Sequence, residues 1–84
     1  MKILVDQKEE GLLNLIGKKV FVMCANYFYH GQLVGVNKSC IKLEDPSIVY
    51  DTGAWTNDKF SDEQMLNVKH WYVKVSAIES FGEK

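Results

Sequence analysis

The sequence predicts a mostly-β domain: a small, strongly bent, five-stranded antiparallel barrel preceded by a short helix. Three observations carry this reading. From Lys18 onward, apolar residues recur with a period of two, as strands require. The longest such run, Phe28 to Val36, contains Gly31 and Gly35. Glycines inside a strand mark bends, bulges or close backbone approach, which a small barrel needs in order to curve. The breaks between runs are short, with one exception at residues 51–69.

The elements follow in order. Residues 6–16 read as a helix. Asp6-Gln7-Lys8-Glu9 has capping-box spacing, and Leu12, Leu13, Leu15 and Ile16 form an apolar face. Gly17 supplies the stop. Gly11 weakens the segment, so the helix must dock on something, and an open barrel mouth would serve. Residues 18–50 hold strands one to three. In the first, Val20, Val22 and Cys24 face one side while Phe21 and Met23 face the other, as in a strand covered on both faces. Ala25-Asn26-Tyr27 and Asn37-Lys38-Ser39 are the turns, with Asn26 able to tolerate positive φ. The third strand breaks at Asp45-Pro46 and resumes from Ser47 to Tyr50. Residues 51–69 form a long loop, folded back on the barrel by Trp55 and Phe60. Ser61-Asp62-Glu63-Gln64 caps one helical turn carrying Met65 and Leu66. Residues 70–81 hold strands four and five around a Ser76-Ala77 turn.

A single domain of 84 residues buries roughly 60–65% of the surface its unfolded chain exposes, a thin margin usually supplemented by disulfides, a metal or a partner subunit. Cys24 and Cys40 sit singly in apolar stretches and read as reduced, buried thiols. His30 and His70 stand alone, without metal-ligand spacing. No metal or cofactor is expected, which leaves partner subunits. The segment from His70 to Val75 is aromatic, β-branched and nearly uncharged, yet it lies near a sheet edge, where such a strand aggregates unless paired. Trp71, Tyr72, Val73 and Val75 are therefore candidate interface residues, with Ile78, Ser80 and Phe81 as the complementary edge.

The formal net charge is −1, and all ten basic residues are lysine. Lysine does not replace the planar arginine fork in reading phosphate and base edges, which counts against tight nucleic-acid binding. Lys38, Lys42 and Lys74 remain candidates for phosphate, and Tyr27, Tyr29, Trp55 and Phe60 for stacking. No nucleophile–base pair or phosphate loop is present, so an enzyme is not expected. Asp58, Asp62 and Glu63 form a loose carboxylate cluster that reads as solvated. No stretch is apolar enough to span a bilayer. Met1 to Val5 is too short for a secretory signal, and a cytoplasmic location is expected.

The run Leu13, Ile16, Gly17, Val20, Val22, then Tyr29-His30-Gly31-Gln32-Leu33, Val36-Asn37, Ile41-Lys42-Leu43-Glu44 and Val73-Lys74-Val75-Ser76-Ala77-Ile78 resembles the Sm and LSm proteins and their bacterial relative Hfq. The likeness covers residues 12–44 and 70–81. The strings Ile48-Val49-Tyr50-Asp51-Thr52-Gly53 and Ala77-Ile78-Glu79-Ser80-Phe81-Gly82 are similar to Sm-like proteins of phage or prophage origin, which points to the cytoplasm of a phage host. The resemblance implies an Sm-like barrel in a homo-oligomeric ring, with an RNA site at Asn37, Lys38, Ser39 and Lys74. It also implies a weakened site. The turn offers Lys38 and Ser39 where the family has a stacking ring, and the family's asparagine position falls on Cys40 or Ile41. Lys74 and Val75 replace its arginine and glycine, and Asn37 replaces its aspartate. Single-stranded RNA, bound weakly or at another site, is one expected partner. A protein partner contacting the 51–69 loop of an adaptor ring is the alternative.

Overall fold

The computed structural model describes residues 11–84. The Asp6–Glu9 capping box thus lies outside the described residues. The helix expected over residues 6–16 does not run through residue 11: Gly11 has φ 78°, which no helix accommodates, and a single 3₁₀ turn, Leu12–Leu15, follows it. Leu12 and Leu15 pack against the main core, whereas Leu13 and Ile16 are exposed. Gly17 has φ 91° and ends the turn as expected, its amide donating to the Leu33 carbonyl at 2.7 Å.

Six strands follow: β1 (Lys19–Cys24), β2 (Phe28–Val36), β3 (Cys40–Asp51), β4 (Asp62–Met65), β5 (His70–Lys74) and β6 (Ile78–Glu83). They form one antiparallel sheet in the order β4-β3-β2-β1-β6, with β5 also on β3. The expected count of five strands is thus one short. The helical turn expected around Met65 is instead β4. Extension of β3 to Asp51 offers a strand edge, and Ser47 to Asp51 pair with Asp62 to Met65 there. Asn67, at φ 58°, then turns the chain out of β4. Asn26 is not among the described non-glycine residues with positive φ, which are Asp45 and Asn67.

The bend in β3 falls at Asp45-Pro46. Asp45 adopts φ 50°, and the pairing with β2 advances three residues on β3 for two on β2, from His30↔Ser47 to Gln32↔Glu44. Such a slip exchanges the faces of a strand. Before the bend Ile41 and Leu43 enter the main core; after it Val49 enters a second cluster on the opposite face. The bend also divides the edge of β3, so that Cys40 to Glu44 pair with β5 and Ser47 to Asp51 with β4. At Gly31 the atoms of β3 crowd the β2 backbone. A Cβ there would sit 3.2 Å from the Glu44 carbonyl oxygen and 3.3 Å from Leu43 Cβ and Pro46 Cα.

The main core comprises Val20, Val22, Cys24, Leu33, Ile41, Leu43 and Val73. The second cluster joins Phe21, Val49 and Phe60, flanked by Met23 and Phe28. β1 is therefore covered on both faces, as its sequence predicts. The loop after β3 folds back as expected: the Phe60 ring lies 4.9 Å from Phe21, and the Trp55 ring 5.8 Å from it edge-on. Gly53, at φ 67°, makes the turn, and a Cβ there would collide with the Ser61 hydroxyl.

One connection determines the sheet's curvature. The 3₁₀ turn Val75–Ala77 joins β5, paired to β3, directly to β6, paired to β1. Three residues span at most about 10 Å, so the sheet must curl until its two sides approach. β5 and β6 do not pair with each other, and the sheet stays open.

Candidate functional site

The most connected polar group lies where β4 meets the bend. Glu63 Oε2 accepts a hydrogen bond from the Ser47 hydroxyl and lies 2.6 Å from His30 Nδ1. His30 Nε2 donates to the Lys84 carbonyl at 3.1 Å, so that nitrogen carries a proton. Strand alternation separates Glu63 from Asp62, so the loose carboxylate cluster is not assembled. Burial pushes the Glu63 carboxyl upward, but hydrogen bonds from Ser47 and His30 and the charges of His30 and Lys19 outweigh it, and its pKa lies below the ordinary value.

This is not the arrangement that activates a hydroxyl. In a nucleophilic triad the imidazole stands between hydroxyl and carboxylate. Here the carboxylate stands in the middle, and Ser47 is 1% exposed. The group is a clasp holding β4 to β3 and β2. A depressed carboxyl pKa stabilises the fold above its unfolded value, and that contribution is lost as pH falls through the folded value. The clasp should therefore loosen below about pH 4.3. Glu63→Gln is expected to cost about 1 kcal/mol at neutral pH and to flatten the acid limb of stability against pH. Urea unfolding of both proteins between pH 3 and 7 checks this, and parallel curves would contradict it.

The expected RNA-site residues do come together. Lys74 pairs with Cys40 across β5 and β3, and the Val75 amide donates to the Ser39 carbonyl at 2.8 Å. This places the Asn37-Lys38-Ser39 turn beside Lys74. Asn37 Oδ1 accepts from the amides of Ser39 at 2.7 Å and Cys40 at 2.9 Å. The asparagine therefore braces the turn itself, as the aspartate it replaces in the resemblance would. No ring stands in the turn, and Cys40 is half-buried. Cys24 and Cys40 are both unpaired, and burial, with the charge of Glu79, pushes the Cys24 thiol up.

The expected interface residues divide into two sets. Val73 is buried in the core, and Val75 and Ile78 pack half-buried against it. Trp71, Tyr72 and Phe81 are exposed, Tyr72 by 60%. Among the described residues β5 pairs only with β3 and β6 only with β1, leaving each strand one open edge. β4 also has an open edge, but it is four residues long and carries Asp62 and Glu63, the short charged form that resists pairing. β5 and β6 are longer, at five and six residues, and set the exposed rings of Trp71, Tyr72 and Phe81 among their charged residues Lys74, Glu79 and Glu83.

Two grooves flank Tyr72, neither of them legible from spacing. One, of about 390 Å³, lies toward the β1–β2 turn and is lined by Tyr27, Tyr29, Lys74 and Glu79 among others. The other, of about 260 Å³, lies over Gly35 and is lined by Val36, Asn37, Cys40 and Lys42. Of the remaining stacking candidates, Phe60 is buried, whereas Trp55 is 58% exposed with Lys84 Nζ 5.1 Å from its ring. No helix among the described residues is long and apolar enough to cross a membrane.

Fold and surface together define a class: an open, curled antiparallel sheet with two strands, close in sequence, that each keep one edge unpaired among the described residues. No family model matches the sequence, and no curated protein matches it.

Proposed function

We propose that the chain is a non-catalytic, Sm-like subunit that closes into a homo-oligomeric ring in the cytoplasm and binds single-stranded RNA weakly, outside the family's usual pocket. The edges of β5 and β6 that stay unpaired among the described residues carry this reading. They are different surfaces of one chain, held close by the Val75–Ala77 turn, so β5 of one copy pairs with β6 of the next. Such a head-to-tail contact closes into a ring or runs on as a filament. The exposed side chains of Trp71 and Phe81 give that contact apolar area. The turn's lack of a ring, and Lys74 in place of arginine, support weak rather than tight RNA binding. Mass in solution by light scattering tests the assembly: a multiple of the chain mass supports it, and a monomer at tens of micromolar rejects it.

A second reading, an adaptor ring that binds a protein through the 51–69 loop, is favoured by exposed Trp55. The double substitution Trp55→Ser with Asp58→Lys should then abolish partner capture without changing the ring's mass. Unchanged capture would remove this reading.

A further inference from the structure

We propose that the groove over Gly35, on the outward face of the β2–β3–β5 ribbon, is a single-stranded nucleic-acid site, with a base on the Tyr72 ring and phosphates at Lys42 and Lys74. This rests on the nucleic-acid part of the preceding reading and not on assembly.

Strand pairing builds the site. Gly35 of β2 lies opposite Lys42 of β3, and Lys42 lies opposite Tyr72 of β5, so the three form one row across the ribbon. The row faces away from the main core, because the alternate residues Ile41, Leu43 and Val73 fill it. Lys42 Nζ stands 5.8 Å from the Tyr72 ring centroid. Lys74, opposite Cys40, is the next residue of β5 on the same face, and Lys38 stands in the adjoining turn.

Gly35, at the register slip that follows Leu33, leaves the notch open among the described residues. Its φ is not positive, and a Cβ would meet only Lys42 Cβ, at an ordinary 3.6 Å. The neighbouring half of the same face is filled, since Phe60 and Trp55 cover Phe21 and Val49. The two halves of one outward face thus differ: the 51–61 segment closes one, and the other is left as a groove with an aromatic wall.

Charge selects the occupant. In a chain of net charge −1, this groove is lined by Lys42 and bordered by Lys38 in the adjoining turn and by Lys74, which also lines the larger groove. None of the three pairs with a carboxylate among the described residues. Glu44, the acidic residue next along this face of β3, is engaged by Lys69 at 3.7 Å and His70 at 3.6 Å. The larger groove on the other side of Tyr72 carries Glu79, which repels phosphate. Lysines beside an exposed aromatic face suit a ligand with alternating phosphates and planar bases, and stacking tolerates any base. An acidic peptide would use the lysines and leave the ring idle.

The test measures anisotropy of labelled U-rich, A-rich and mixed oligoribonucleotides at low salt, with light scattering on the same samples. Two phosphate contacts predict a slope of about −1.4 in log affinity against log salt. Tyr72→Leu and Gly35→Val should each weaken binding roughly fivefold or more, with Lys42→Gln lowering the salt slope and Lys59→Gln changing nothing. Thermal melts identify any variant that is misfolded, and Tyr72→Leu and Lys42→Gln keep the test decisive if Gly35→Val is one. Binding that ignores Tyr72, Lys42 and Gly35 overturns this site and leaves the nucleic-acid reading standing. No binding to any oligomer at low salt overturns both. Tighter binding of an acidic peptide, lost in the Lys42 variant but not in the Tyr72 variant, also overturns the site.

Discussion

Leu43→Ala is expected to lower the unfolding free energy by about 2–5 kcal/mol, enough to unfold much of the protein at physiological temperature. Leu43 is fully buried and sits two residues before the left-handed Asp45, where β3 changes partners and faces. Its neighbourhood has little freedom to collapse. The Leu43 Cβ is already within 3.3 Å of where a Gly31 side chain would start, and Trp71 lies opposite it on β5. The cavity would therefore persist, and its volume adds to the lost transfer energy. A small domain holds about 5 kcal/mol in reserve, so the loss approaches the whole. Leu13→Ala, at a position 50% exposed, should cost under about 1 kcal/mol. Urea melts of the two variants side by side check both values. A Leu43 cost below about 1 kcal/mol would mean that the core is not centred on the β3 bend.

The second large effect falls on assembly. Trp71 and Phe81 are exposed residues on the two open-edge strands. Lysine is a device that natural sheets use to protect an edge. Trp71→Lys with Phe81→Lys should therefore reduce the solution mass from a multimer to a single chain, with the far-ultraviolet dichroism of the sheet retained. Single substitutions should shift the midpoint of dissociation with protein concentration. A double variant that keeps the full mass would place the subunit contact elsewhere.

Much of the strand order was legible because it rests on local signals. The period-two runs place β1, β2 and β5 to within a residue or two. Gly31 and Gly35 mark the two places where the β2–β3 register slips. The opposed apolar faces of β1 correctly announce two clusters. What was not legible depends on partners distant in the chain. Asp62–Met65 has the composition of a capped helical turn, and becomes a strand because β3 offers it an edge and Ser47 and His30 hold its Glu63. Gly11 reads as a weak point in a helix, but its φ of 78° makes it a break.

The candidate sites divide in the same way. Turn residues Asn37 to Ser39 and Lys74 were readable and do meet. Tyr72 was assigned to an edge from its strand alone, and its position against Lys42 follows only from the β3–β5 register. Val73 shows the limit of composition: it shares a segment with Trp71 and Tyr72, yet alternation sends it into the core, where it is 5% exposed.

The central claim is that the edges of β5 and β6 join copies of this chain head to tail. The most direct measurement is the absolute mass of the unmodified chain by light scattering, across concentrations from about one to a hundred micromolar. One discrete mass, an integer multiple of the chain mass greater than two and constant over that range, is the predicted result. A mass equal to one chain throughout would contradict it.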